Sequence, residues 1–281
     1  MSVGCRLLLI GLKGSGKTSY LAALWHSVES GEVETSLRVA NLQPDREYLN
    51  RVRDLWLRLQ EMGRTSSRSP QEVSLHLNDA MSGEAIDLTL PDLSGELFRQ
   101  QWITRKATRH FANFAAESSG VILFIHPTDL VKSQRISFPE GHQGSQSSDQ
   151  IALEWSPETS PTQAILVELL QFVAHLKSTT TSGRIAVIIS AWDLVKEPIP
   201  PTSWLETHLP LLYQFLVANG ASTPFQIYGV SALGGDLEKD FSSLREESIP
   251  GRRIRVIEEA KKPHGDLTAP IRFLLSADGS T

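Results

Sequence analysis

Residues 11–18 read Gly-Leu-Lys-Gly-Ser-Gly-Lys-Thr and match G-x-x-x-x-G-K-[ST], the pattern of phosphate-binding loops. The apolar run at residues 5–10 predicts a buried strand before the loop, and residues 19–25 favour a helix after it. Strand, glycine-rich turn and helix start are the context that the motif requires. This stretch therefore predicts the first strand–loop–helix unit of a P-loop fold.

The residue types in this loop suit phosphate chemistry. Its glycines let the backbone bend so that its N–H groups point at phosphate oxygens, and the helix N-terminus adds positive potential. We expect Lys17 to reach the β- and γ-phosphates and the Thr18 hydroxyl to hold Mg²⁺. The predicted nucleotide-binding residues of the loop are Lys13, Gly14, Ser15, Gly16, Lys17, Thr18 and Ser19.

Composition places the chain among ordinary globular proteins. It has 281 residues, of which 40% are hydrophobic and 21% charged, and a net charge of −5. The negative charge argues against nucleic acid as the main partner. The single cysteine, Cys5, excludes an internal disulfide and a cysteine-based metal site. No stretch has the length and apolarity of a membrane span or the pattern of a secretory signal, so we expect a cytoplasmic location.

Apolar runs alternate with helical patterns along the chain. Two strictly alternating runs, 73–77 and 86–90, predict an antiparallel hairpin that turns near Ser82 and Gly83. Nearly continuous apolar runs predict central strands at 121–125, 185–189 and 225–230. The helical patterns lie at about 44–62, 95–117, 161–178, 202–219 and 267–277.

This alternation predicts a three-layer α/β P-loop NTPase fold, with a mostly parallel sheet, one antiparallel edge strand and helices on both faces. We expect one domain over residues 1–281 with insertions at about 131–160 and 234–266, because neither segment has enough apolar residues for its own core.

Residues 91–96, Pro-Asp-Leu-Ser-Gly-Glu, follow a predicted strand directly. Asp92, at the carboxyl end of that strand, is expected to hold Mg²⁺ through water. Gly95 can offer its backbone N–H to a γ-phosphate without a side chain in the way. An Asp-x-x-Gly motif after this strand and this loop predicts a nucleoside triphosphatase.

Two later strand ends predict which base is bound. The run Ser190-Ala-Trp-Asp193 follows the next strand, where the Asp193 carboxylate can accept hydrogen bonds from guanine N1–H and its exocyclic amine. Adenine has no such donor pair, so Asp193 would select guanine. Ser231 and Ala232 end the last predicted strand, where a backbone N–H could reach the guanine carbonyl oxygen.

With these motifs in this order, the chain resembles the Ras-like and translation-factor-related P-loop GTPases from residue 5 to about residue 233. Three features resemble the bacterial double-GTPase families: the Trp-Asp ending at Asp193, the polar insertion at about 131–160 and the long C-terminal segment. Those families are associated with multi-gene signalling or conflict systems. The resemblance implies GTP or GDP with Mg²⁺ as ligands. It implies Thr18 and Asp92 as magnesium contacts, Gly95 as the γ-phosphate sensor and Asp193, Ser231 and Ala232 as the base-reading residues.

The fourth motif departs from the family pattern, Asn-Lys-x-Asp or Thr-Lys-x-Asp. Ser190 stands at the first position and Ala191 replaces the lysine, whose aliphatic stem would lie along the base. Trp192 either compensates by stacking or packs in the core.

Glu96 stands after the Asp-x-x-Gly motif, where many Ras-like proteins have glutamine. A glutamate could orient water, but its charge opposes the phosphate. We therefore expect a GTP hydrolase that is slow without a partner, with Lys17, Gly95 and Glu96 as catalytic residues. Arg99 and Arg105 are candidates for cationic help in cis, although a solvated helix face is favoured for both.

Spacing does not fix the switch threonine that would close over Mg²⁺. Thr65, in a basic polar segment before the hairpin, is the first candidate as a metal contact, and Thr35 is the second.

Three functions fit the sequence. The first is a GTP/GDP-dependent molecular switch that an effector or activating protein reads, with a homodimer across the nucleotide face or a hetero-complex. The second is an ATP-using P-loop enzyme, and the third is a nucleotide-binding scaffold with little or no hydrolysis.

Overall fold

The computed structural model describes residues 3–40, 46–60, 71–92, 95–133, 156–177 and 183–276. Within these ranges the strands are β1 (Val3–Ile10), β2 (Leu37–Val39), β3 (Gln71–Asp79), β4 (Ala85–Asp92), β5 (Gly120–Ile125), β6 (Arg184–Ile189), β7 (Phe225–Ser231) and β8 (Arg255–Ile257). The α-helices of the same ranges are α1 (Lys17–Ser30), α2 (Arg46–Leu57), α3 (Gly95–Thr104), α4 (Arg109–Glu117), α5 (Thr162–Leu176), α6 (Pro201–His208), α7 (Pro210–Asn219), α8 (Phe241–Glu246) and α9 (Ala269–Leu275).

The strands form one sheet in the order β2-β3-β4-β1-β5-β6-β7-β8. From β4 to β7 all neighbouring strands are parallel, whereas β2 with β3, β3 with β4 and β7 with β8 pair antiparallel. The chain leaves β1 toward one edge and later returns to β5 on its other side, so the strand order reverses at β1. In open α/β sheets, ligands bind beyond the carboxyl ends of the strands at such a reversal.

Helices cover both faces of the sheet. The side chains of β1 alternate, so that Leu7 and Leu9 pack under α1, α2 and α9, whereas Leu8 and Ile10 pack under α3 to α7. A strand buried on both faces needs the continuous apolar sequence that β1, β5 and β6 carry. The predicted three-layer, mostly parallel fold is therefore confirmed.

Several predicted elements differ in detail. The helical pattern at 202–219 is two helices, because Pro210 begins α7 and the preceding Leu209 leaves helical geometry with φ −134°. The pattern at 95–117 is also two helices, and Arg105 between them has φ +56°, in the left-handed region. The strand-like patch near residue 255 is the antiparallel edge strand β8. Most of the insertion expected at 131–160 lies outside the described residues.

None of the helices that the structure describes has the length and hydrophobicity that a membrane crossing requires.

Candidate functional site

The motif residues gather at one edge of the sheet. The paired registers put Ile10, Asp92, Ile125, Ile189 and Ser231 at the carboxyl ends of β1, β4, β5, β6 and β7. Because these strands are parallel, the segments that follow them lie side by side beyond the same edge. The phosphate-binding loop, the start of α3 and the two proposed base-reading segments therefore surround one location.

The phosphate-binding loop has the bent backbone that its glycines allow. Gly14 and Gly16 have backbone φ values of +75° and +86°, which residues with a side chain rarely adopt. Lys17 is the first residue of α1, and its Nζ lies 2.7 Å from Gly11 O and 3.2 Å from Leu12 O. The buried ammonium group is thus fixed within the curve of the loop, at the positive end of α1.

The first turn of α3 lies directly against this loop. A Cβ added to Gly95 would lie 2.3 Å from Lys13 N and 2.5 Å from Leu12 C, which only a glycine avoids. The ring of Phe98, one turn later, lies 5.7 Å from Lys17 Nζ. Gly95 therefore lies beside the loop that would hold a γ-phosphate.

Glu96 forms an ion pair with Lys13 at 3.3 Å. Both side chains are about half exposed, so the pair contributes little to stability. The ion pair does place the Lys13 ammonium group of the phosphate-binding loop beside the Glu96 carboxylate.

The fourth motif reaches the phosphate-binding loop through Ser190. A Cβ on Gly16 would lie 2.9 Å from Ser190 Cβ, and Ser190 N donates a hydrogen bond to Ile125 O at 2.9 Å. Ala191 then has φ +44°, a left-handed conformation that turns the chain into the short 3₁₀ helix Trp192–Leu194. This turn places Asp193 at the surface of the carboxyl edge.

Asp193 and Ser231, at the two strand ends assigned to base reading, are in contact. The Ser231 hydroxyl donates a hydrogen bond to Asp193 Oδ1. The same hydroxyl accepts one from Gly234 N at 3.2 Å. The carboxylate is thereby oriented by the loop that follows β7, and Ala232 lies within that loop.

Trp192 is half-buried and packs against the core beside β7. Its indole lies so close to β7 that a Cβ on Gly229 would be 2.4 Å from Trp192 Cδ2. The indole also makes an edge-on contact with Trp204 of α6, with ring centroids 6.4 Å apart. The indole therefore anchors the turn that carries Asp193.

Two of the three candidate magnesium ligands, Thr18 and Asp92, lie among the described residues. Thr18 lies in the first turn of α1 and Asp92 ends β4, the strand next to β1, so both belong to the carboxyl edge. A hydroxyl and a carboxylate, completed by water and phosphate oxygens, are a donor set that fits Mg²⁺. The described residues contain no cluster of three or more histidine, cysteine or acidic side chains that would hold a metal alone.

The structure places one of the two switch threonine candidates. Leu37 begins β2 opposite Asp79, whereas Asp92 pairs with Gln71 at the other end of β3. Thr35, just before β2, is therefore buried at the end of the sheet opposite the phosphate-binding loop. Thr65 lies outside the described residues.

The arginines after Gly95 are engaged in different ways. Arg105 forms an ion pair with Glu168 of α5, and its guanidinium carbon lies 4.1 Å from the centroid of the Trp102 ring. Arg99 lies half-buried on α3. Arg105 is thus held against α5 and Trp102.

One residue near the loop did not emerge from the motifs. Asp129, four residues after β5, has its Oδ2 atom 3.3 Å from the Cβ position of Gly14. Its neighbour Thr128 contacts His126 Nδ1 at 3.0 Å. The available signal was the rule applied to the other strands, that polar residues just past the carboxyl end of a parallel strand line the site.

Comparison with known families completes the assignment. A family model described as Double-GTPase 1 matches residues 8–274, which include every site segment described above. Among curated proteins, none matches the chain significantly. The resemblance drawn from the motifs is confirmed, and with it guanine-nucleotide binding as the general function. The chain belongs to the Double-GTPase 1 family of P-loop GTPases.

Proposed function

We propose that this chain is a guanine-nucleotide switch that binds Mg²⁺–GTP at residues 11–18 and hydrolyses it slowly. The observation that carries the proposal is the meeting of the phosphate-binding loop, Gly95 and the Asp193–Ser231 pair beyond one edge of the sheet. Phosphates bind at the loop and the start of α1, and the base lies between the segments that follow β6 and β7.

Asp193 reads the base. Ser231 holds Oδ1 of the carboxylate, so the group is oriented before the nucleotide arrives. An oriented acceptor for N1–H and the 2-amino group rejects adenine, which would leave the carboxylate without a donor.

Hydrolysis is slow because the water-orienting residue is an anion. Glu96 lies beside the γ-phosphate position, and Lys13 offsets part of its charge through the 3.3 Å ion pair. Thr18 and Asp92 would hold Mg²⁺, which would neutralise negative charge on the phosphates. Lys17 and the N–H groups of the loop bind the phosphate oxygens.

Switching follows from the contact between α3 and the phosphate-binding loop. Gly95 lies against Leu12 and Lys13, so a γ-phosphate there changes the position or order of the first turn of α3. An effector or activating protein reads this change. Because Arg105 is committed to Glu168 and Trp102, we place the cation that speeds hydrolysis on a partner, either a second copy or another protein.

Phosphate release from GTP and from ATP, each with Mg²⁺ and with EDTA, tests the proposal. We expect slow release from GTP that requires Mg²⁺ and none from ATP. Tight GTP binding with no release above the uncatalysed rate would instead establish a nucleotide-binding scaffold. Size-exclusion chromatography with GDP and with a GTP analogue tests the dimer, which is refuted if the protein elutes as a monomer with both.

A further inference from the structure

A buried tryptophan from a distant part of the sequence holds the loop that follows β7. Trp56, near the end of α2, has no exposed surface, and its Nε1 donates a hydrogen bond to Ala232 O at 2.9 Å. The two residues are 176 positions apart in the chain. The indole N–H of the fully buried Trp56 would be costly to leave without an acceptor, so this bond fixes where the Ala232 carbonyl points.

The indole also contacts two other side chains. The guanidinium carbon of Arg253 lies 4.4 Å from the ring centroid, and the His26 ring lies 5.0 Å from it. Arg253 is buried, and its Nε donates to Pro250 O at 3.2 Å. The Trp56 ring is therefore held by Arg253 and His26 as well as by its hydrogen bond to Ala232.

Arg253 also bounds the far end of the loop. Gly234 has φ +95°, and a Cβ there would lie 2.7 Å from Arg253 O. At the near end, Ser231 bonds to Asp193. The segment 231–234 is thus fixed at its ends by Asp193 and Arg253, and in its middle by Trp56.

The direction of the Ala232 carbonyl also determines the direction of the Leu233 N–H, because both belong to one peptide group. A trans peptide is planar, and its C=O and N–H point in opposite directions. Because the Ala232 carbonyl points at the buried indole, the N–H of Leu233 points away from it. This orientation supplies a backbone donor of the kind that guanine O6 requires.

We propose that Trp56 is a positioning residue for guanine recognition, which orients the 232–233 peptide so that its N–H bonds to O6 of the base. The inference rests on the proposed reading of guanine at this edge. It adds a second contribution to selectivity: Asp193 reads N1–H and the 2-amino group, and the peptide held by Trp56 reads O6.

The experiment pairs two tryptophan variants. Trp56→Phe removes the indole N–H and keeps a buried ring. Trp25→Phe is the matched control, since Trp25 is equally buried and its Nε1 donates at 3.0 Å to Asn50 Oδ1, away from this loop. The affinity of each protein is measured for GDP and for 6-thio-GDP, whose sulfur accepts hydrogen bonds poorly at the position of O6.

We expect Trp56→Phe to weaken GDP binding about threefold to tenfold, the worth of one hydrogen bond, and Trp25→Phe to change it less than about twofold. The preference for GDP over 6-thio-GDP should shrink by the same factor in Trp56→Phe only. Should Trp56→Phe fail to fold, replacing Trp56 with 3-benzothienylalanine removes the N–H while keeping the shape of the ring system.

Equal weakening of GDP by the two variants would overturn the inference, because it would show a general loss of stability. An unchanged preference for GDP over 6-thio-GDP in Trp56→Phe would overturn it too. If the unmodified protein binds GDP and ADP alike, the proposed function fails first, and this inference fails with it.

Discussion

The contact between Gly95 and the phosphate-binding loop predicts a large effect from a single methyl group. In Gly95→Ala the new Cβ would lie 2.3 Å from Lys13 N and 2.5 Å from Lys13 Cα, whereas ordinary contacts begin near 3.4 Å. Both neighbours are backbone atoms, so they cannot rotate away. Either α3 or the loop must move by about 1 Å, and overpacking of this kind costs about 1–3 kcal/mol.

We expect α3 to move. The loop is joined to β1 and α1, both deeply buried, whereas Glu96 in the first turn of α3 is exposed. A displacement of about 1 Å at the γ-phosphate should lower the rate of GTP hydrolysis about 100-fold and change GDP affinity less than about threefold. Single-turnover phosphate release and fluorescent GDP titration measure the two quantities.

Gly4→Ala is the matched control, because a Cβ added to Gly4 meets nothing within 4 Å. It should leave both quantities unchanged. Hydrolysis by Gly95→Ala at the rate of the unmodified protein would show that α3 does not border the γ-phosphate. Equal loss of GDP and GTP binding would show that the phosphate-binding loop, and not α3, had moved.

Two further predictions concern stability and reactivity. Burial opposes ionisation of Glu258, but hydrogen bonds from His264 and Lys261 outweigh it and lower the pKa to about 2. Glu258→Gln should therefore lower the free energy of unfolding in urea by about 2 kcal/mol at pH 7. This difference between the two proteins should shrink as the pH falls from 4.5 toward 2, and an equal difference at pH 7 and pH 3 would contradict the expectation. Burial also raises the pKa of the Cys5 thiol, so a disulfide reagent should react slowly with the native protein and rapidly in denaturant, and equal rates would show Cys5 to be accessible.

Local sequence predicted the parts of the site that depend on local structure. The strand β1, the glycine-rich turn and the start of α1 are contiguous, and their apolar run, glycines and helix formers determine the geometry together. Strand ends were equally readable, because a parallel sheet brings its carboxyl ends to one edge. This is why Asp193 and Ser231, which are 38 residues apart, could both be placed at that edge.

Contacts made by tertiary packing could not be predicted in this way. Trp192 packs against β7 where Gly229 has no side chain, and no local pattern in the sequence indicates this contact. Thr35 was a plausible switch residue by composition, yet the short strand β2 pairs at the far end of β3. The bond from Trp56 to Ala232 joins two segments whose proximity depends on how α2 docks.

We propose that Asp193 makes this P-loop protein selective for guanine. The most direct test is displacement of a fluorescent GDP analogue by unlabelled GTP or ATP, in Mg²⁺, for the unmodified protein and for Asp193→Asn. We expect displacement by GTP and not by ATP, with guanine affinity lowered about 100-fold or more in the variant because an amide cannot accept both base donors. Equal displacement by ATP, unaffected by the substitution, would contradict it.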